Sequence, residues 1–130
     1  MRKIRLMLAD DNALMREGLA MLLGLQDDME VVAQAVNGLD VLARVADVRP
    51  DIVCMDINLG KPDGIETTRQ LRLQQAGVQV IGLSAHIEAA RVAEMLQAGA
   101  LGYVVKDRAG SDLPAAVRAV YQGKTYIRTQ

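Results

Sequence analysis

Phenylalanine and tryptophan are absent from this sequence, and three tyrosines are its whole aromatic complement. The core must therefore be aliphatic, built from Leu, Val, Ile, Ala and seven Met. A single cysteine, Cys54, excludes an internal disulfide; it sits in an apolar run, which fits a packing role, a reducing compartment and hence the cytoplasm. Proline and serine are too sparse to suggest disorder. Neither sign of charge dominates: 15 basic against 16 acidic residues give a net charge of −1, and the basic ones are scattered. The chain thus lacks the electrostatic footprint of a nucleic-acid binder. No apolar run approaches the ~20 residues of a membrane span. The one that follows Met1-Arg2-Lys3-Ile4-Arg5 is cut by Asp10-Asp11 before it could form a signal-peptide core.

What is present is an ordinary globular composition, 51% hydrophobic and 24% charged over 130 residues, enough for one sizeable core without staples. Short aliphatic runs recur at Ile4–Ala9, Glu30–Ala35, Ile52–Met55, Val78–Leu83 and Leu101–Val105, each too short for a helix. Helical spacing fills the intervals. Leu14, Gly18, Met21, Leu22 and Leu25 share a face, as do Leu39, Leu42, Val45 and Ala46, and Leu113, Ala116, Val117, Val120 and Tyr121. Ile65, Thr68 and Leu71 suggest a stripe, and Glu88 to Ala98 is alanine-rich. Gly77, Gly99 and Gly123 stand where left-handed helix caps are wanted. Five successive βα units predict an α/β fold, a doubly wound parallel sheet with helices on both faces; a barrel typically needs ~250 residues.

The polar residues at the strand ends carry the chemistry. Asp10-Asp11 end the first strand, Asp56 the third, Ser84 the fourth and Lys106 the fifth, so all five meet at the carboxyl edge where open α/β sheets bind ligands. Like charges ~4 Å apart repel by about 4 kcal/mol at an effective dielectric of 20, so three carboxylates need compensation. Lys106 offsets one charge, and a divalent cation would neutralise the other two. An oxygen-only site suits Mg²⁺. Metal, carboxylate and lysine together form a set for phosphoryl transfer, with one Asp as nucleophile and the cations stabilising charge on the transferring oxygens. Singly, each residue has a plainer use. Asp10-Asp11 or Ser84 could cap a helix, Asp56 could serve a turn, Lys106 could be a solvated lysine, Tyr103 could be packing, and His86 a surface histidine. Their joint occurrence in this order argues against those readings.

The acidic pair, Asp56-Ile57-Asn58, Asp63-Gly64, Ser84-Ala85 and Gly102-Tyr103-Val104-Val105-Lys106 together resemble the receiver domain of two-component response regulators, over roughly Arg5 to Gly123. The resemblance implies a five-stranded sheet in the order 2-1-3-4-5. It implies that Asp56 accepts a phosphoryl group from a phosphohistidine on a sensor histidine kinase. Asp10, Asp11, Asp56 and the backbone carbonyl of Asn58 would hold Mg²⁺. Lys106 would bind the acyl phosphate, Ser84 would turn its hydroxyl to a phosphoryl oxygen, and Tyr103 would swing from exposed to buried. Asn58 and His86 would tune phosphate lifetime. A hydrogen bond to a charged group contributes roughly 1.5–3 kcal/mol. Inverting a 1:99 population needs about 5.5 kcal/mol, so Ser84 cannot throw such a switch alone.

Three departures from the family pattern stand out. Gly60 occupies the usual loop proline position, with Pro62 two residues later; Ser84 replaces the commoner Thr; and Lys106 precedes Asp107 rather than Pro, removing the usual reason for a cis bond there. Lys106-Asp107 and Gln122-Gly123-Lys124-Thr125-Tyr126-Ile127 resemble receivers that precede a LuxR-type helix-turn-helix. The expected organisation is a receiver over 1–123 and, over 124–130, the start of a linker to a DNA-binding domain absent from this chain. DNA would be reached only through that domain. The alternative is a stand-alone receiver acting through protein contacts. Self-association through the first or fifth helix, no membrane contact, and self-modification rather than enzymatic turnover complete the expectation. A flavodoxin-like cofactor module would want a Ser-, Thr- or Gly-rich first loop, and a haloacid-dehalogenase-type hydrolase an Asp-x-Asp motif; Asp10-Asp11-Asn12 provides neither.

Overall fold

Strands β1 (Ile4–Ala9), β2 (Met29–Ala35), β3 (Ile52–Asp56), β4 (Gln79–Ser84), β5 (Gly102–Val105) and β6 (Tyr126–Ile127) form one parallel sheet in the order β2-β1-β3-β4-β5-β6. The computed structural model describes residues 2–85 and 88–128. Helices α1 (Ala13–Gly24), α2 (Gly38–Val48), α3 (Gly64–Gln74), α4 (Ala89–Ala98) and α5 (Ala109–Tyr121) alternate with the first five strands, and a short 3-10 turn, Lys106–Arg108, leads into α5. This is the doubly wound parallel sheet expected from the strand and helix periodicities, and its first five strands keep the 2-1-3-4-5 order that the resemblance implies. The reversal of strand order falls between β1 and β3, where a ligand crevice is expected.

The alternation of side chains along each strand divides the core in two. Met7, Ala9, Val53, Met55, Val80 and Tyr103 face α2, α3 and α4; Leu6, Leu8, Ile52, Cys54, Ile81, Leu83 and Val104 face α1 and α5. The core is aliphatic as composition requires, and among the described residues Tyr103 is the one fully buried aromatic. Cys54 is buried, and its thiol is pushed up to about 12 by burial.

Helix termini depart from the sequence reading in one respect. Gly99 (φ +116°) and Gly123 (φ +82°) adopt the left-handed conformation, but α3 ends at Gln74 and its cap is Gln75, leaving Gly77 in the following turn without positive φ. The backbone chose an earlier exit because Gln75 N–H still reaches Leu71 O at 2.7 Å and Val78 N–H then closes on Gln75 O. Gly60 also has positive φ (+92°), in the loop before the cis Lys61–Pro62 bond, and the Lys106–Asp107 bond is not cis.

The larger correction concerns α1. Leu19 and Leu23 are its buried residues, whereas Leu14, Met21 and Leu25 of the expected face are 82%, 75% and 80% exposed. This helix is apolar over much of its circumference, so a 3.6-residue period fits two stripes, and only contact with α5 and the sheet selects one. Similarly, α2 buries Val41 and Val45 while Leu39 is exposed. In α5 the expected Leu113, Ala116, Val117 and Val120 are buried, with Tyr121 partly exposed at the helix end. The two-residue β6 was not anticipated; Tyr126 N–H donates to Leu101 O at 3.1 Å and Arg128 N–H to Tyr103 O at 3.3 Å.

Candidate functional site

Local capping decides which acidic residues remain free for chemistry. α1 is capped by Asn12, whose side chain accepts from Met15 N–H at 3.1 Å, so neither Asp10 nor Asp11 is its cap. α3 is capped by Asp63, which accepts from Glu66 N–H at 2.9 Å. Its first residue must be glycine: a Cβ on Gly64 would lie 2.3 Å from the carbonyl oxygen of Asp56, so the helix can start against the end of β3 only without one. Gly64 N–H donates to Ile57 O at 2.9 Å, and the loop after Asp56 is thereby tied back on itself.

The strand-end residues meet as the order of strands requires. Asp10 and Asp56 are buried, with 1% and 2% of their surface exposed, and Asp11 beside them is exposed. One carboxylate oxygen from each of the three lies within 4.8 Å of the others. Lys106 bridges the buried pair, its Nζ 2.9 Å from Asp10 Oδ2 and 3.1 Å from Asp56 Oδ2. The remaining oxygens are held by the backbone: Asp10 Oδ1 accepts from Asn12 N–H at 2.9 Å and Asp56 Oδ1 from Asn58 N–H at 3.0 Å. The plain turn role of Asp56 is therefore fulfilled as well, on one oxygen only.

Burial raises the Asp56 pKa, and the neighbouring Asp10 charge adds to it, against the Asn58 N–H and the Lys106 ammonium. Lys106 is likewise shifted upward: burial opposes its charge, but the bonds to Asp10 and Asp56 outweigh that cost. Three carboxylates and one ammonium leave an oxygen-only pocket with an uncompensated negative charge, two walls buried and one open to water at Asp11. That donor set fits a hard divalent cation such as Mg²⁺, which binds through few carboxylates and keeps waters.

Ser84, at the end of β4, is buried and does not cap α4, whose N-cap is Glu88. Its Oγ accepts a 2.7 Å hydrogen bond from the hydroxyl of Tyr103, which stands fully buried in the position the resemblance assigns to the end of its swing. Burial raises the Tyr103 pKa. Asn58 is exposed at the mouth, and His86 lies outside the described residues. Periodicity and motifs did not single out Glu88 and Arg91, which line a small recess with Ile57, Asn58 and Ser84; Arg91 is 3.9 Å from Asp63. Their spacing of three on a helix start was the available signal.

Residues 6–118 match the family model described as "Response regulator receiver domain". The transcriptional regulatory protein DegU of Brevibacillus brevis is 38% identical over 125 residues, covering 96% of this chain and 53% of that protein. LnrK of Bacillus subtilis is 36% identical over 120 residues, covering 92% and 54%. A crystal structure of a LuxR-family two-component response regulator from Aurantimonas superposes with a TM-score of 0.91 at 32% identity, covering 95% of this chain and 89% of that one. The signal receiver domain of the putative response regulator NarL from Mycobacterium tuberculosis gives 0.90 at 31%, covering 95% and 100%. The chain spans about half the length of the curated relatives DegU and LnrK.

Proposed function

Because the chain belongs to the response regulator receiver-domain family, we propose that it is the phosphorylatable input part of a two-component transcriptional regulator, accepting a phosphoryl group on Asp56 from a sensor histidine kinase. The observation that supports this most directly is the buried Asp56 carboxylate held between Asn58 N–H and the Lys106 ammonium, with Asp10 and Asp11 beside it. In the proposed step a carboxylate oxygen of Asp56 attacks phosphorus. The P–O bond forms as the P–N bond of the phosphohistidine breaks, and the imidazole leaves with the bonding pair. The protein is the substrate of its own modification, so it signals rather than turning over.

Asp10, Asp11, Asp56 and the carbonyl of Asn58 would hold Mg²⁺, which when bound neutralises charge on the transferring oxygens. Lys106 supplies the second positive charge. Ser84, whose Oγ accepts from the Tyr103 hydroxyl, would turn its own hydroxyl to a phosphoryl oxygen, and through that bond the two side chains would couple the acceptor to the α4–β5 surface. Ser84 alone cannot supply the full shift, so Lys106, the metal and backbone donors near Ala85 would have to share it, or the shift is partial. Output through DNA would require the half present in the longer relatives. One buried cysteine fits a cytoplasmic setting, and among the described residues no helix is long and apolar enough to cross a membrane.

The test is incubation with acetyl phosphate or phosphoramidate. Mg²⁺ should add one phosphoryl group per chain, and chelation should prevent it; an unchanged mass with donor and metal both present would defeat the proposal. Self-association of the phosphorylated form is supported by the exposed stripe of Leu14 and Met21 on α1 and Leu25 at its C-cap. Met21→Lys is expected to change stability by no more than ~0.5 kcal/mol, as for an exposed site. Sedimentation should show its phosphorylated form shifted to monomer, and an unaltered dimer fraction would exclude this face.

A further inference from the structure

Gly82 is an anomaly in its own strand. It sits in the middle of β4, where a residue without a side chain weakens the strand and calls for a reason. Its neighbours supply one. In the parallel ladder Gly82 is paired with Tyr103 of β5, and two residues further along β4, on the same face, stands Ser84. The tyrosine ring lies across the place a Gly82 side chain would fill. A Cβ there would be 3.1 Å from Tyr103 Cδ2, 3.4 Å from Tyr103 Cε2 and 2.9 Å from Met95 Cε of α4. Carbon contacts are comfortable at about 3.5–4.0 Å, so the added atom intrudes on both. Met95 is a flexible side chain and can yield. The tyrosine cannot move far without loss, because it is fully buried and its hydroxyl is fixed on Ser84 at 2.7 Å.

We propose that Gly82 is the positioning residue of the Tyr103–Ser84 pair: the missing side chain at this register is the slot that admits the ring beneath β4 and lets its hydroxyl reach Ser84. Any side chain at 82 biases Tyr103 outward in proportion to its size, and Met95 takes up the vacated space, so that the α4 surface is altered at the same time. This rests on reading Tyr103 and Ser84 as a switch pair, but its test needs no phosphoryl donor. A failure here therefore leaves the Asp56 assignment intact, and a failure of phosphoryl uptake leaves this one intact.

The absence of tryptophan makes the experiment direct. In a Tyr121→Phe, Tyr126→Phe background Tyr103 is the remaining tyrosine, and acrylamide quenching of its fluorescence reports its burial. Quenching is expected to be weakest in this background, to rise modestly in Gly82→Ala and to rise several-fold in Gly82→Val. A double-mutant comparison separates slot from strand. With Tyr103 present, Gly82→Val should lower the urea midpoint. In a Tyr103→Ala background the same change should leave the midpoint equal or higher, since valine favours strands and fills the hole. If Gly82→Val cannot be folded with Tyr103 present but folds in the Tyr103→Ala background, the proposal is likewise supported, and Gly82→Ala supplies the quenching. Unchanged quenching in folded Gly82→Ala and Gly82→Val, or equal loss of midpoint in both backgrounds, overturns it.

Discussion

Asparagine in place of Asp56 is expected to end phosphoryl uptake and, in the metal-free chain, to make the fold more stable rather than less. The two effects have one cause. In the proposed step the Asp56 carboxylate must be ionised, and the fold bears its charge at a cost, since burial and the Asp10 charge both raise its pKa. Asparagine keeps an oxygen for the Asn58 N–H and leaves Lys106 with Asp10 as its sole partner, at 2.9 Å. The gain should be on the order of 1 kcal/mol, within the usual span of single substitutions but of opposite sign to most. The sign with pH follows. A raised folded-state pKa means that the native chain takes up this proton before the unfolded chain does. As pH falls from neutral through the folded value, Asp56 therefore adds stability, until the unfolded carboxyl also protonates near its ordinary value of 3.8. Urea midpoints in chelator at a series of pH values should show this rise in the native sequence and its absence in Asp56→Asn. Continued phosphoryl uptake by the variant would remove Asp56 as the acceptor; a variant less stable at neutral pH would refute the charge argument.

How much of this was legible beforehand depends on what each feature requires. The strands and the site could be read because one rule governs them all: in a parallel sheet every strand ends at the same edge, so Asp10, Asp56, Ser84 and Lys106 converge whatever the helices do. The α1 face could not, because Leu14 and Leu19 are equally apolar and only the packed partner distinguishes them. The strand β6 has two residues, too few for any periodicity, and exists because Leu101 O, just before β5, and Tyr103 O within it accept from Tyr126 and Arg128 N–H. Gly82 belongs to the same class. Its meaning lies in a ring 21 positions away, brought opposite by a register that no local pattern encodes. Features fixed by topology were visible in the sequence, and features fixed by which side chain meets which were not.

Lys106→Met should have the opposite effect to Asp56→Asn, and the contrast isolates what the lysine does. Methionine keeps most of the unbranched stem but strips the cation from a position 2.9 Å from Asp10 and 3.1 Å from Asp56. Both carboxylates are buried, so each is left facing a like charge with no compensation. Removing one partner of a buried pair typically costs about 3–5 kcal/mol, and partial access to solvent at Asp11 and Lys106 places the expected loss at neutral pH nearer ~2–3 kcal/mol. Three conditions should each recover part of it: acid, which discharges Asp56; Mg²⁺, which supplies positive charge to the same oxygens; and Asp10→Asn in the same chain, which removes the repelling partner. At the alkaline end the native sequence itself should weaken. The Lys106 pKa is raised by its two carboxylates, so its contribution is complete below the ordinary lysine value of 10.5 and disappears as pH climbs through the folded value. The variant, with no ammonium to lose, should lack that decline. Phosphoryl uptake should persist in Lys106→Met at a reduced rate and remain metal-dependent, because the nucleophile and three of the metal's proposed ligands are carboxylates the substitution leaves in place. If instead the variant were as stable as the native chain at neutral pH without metal, the Asp10–Lys106–Asp56 bridge would not be what makes two buried carboxylates tolerable, and the proposed division of labour between lysine and metal would fail with it.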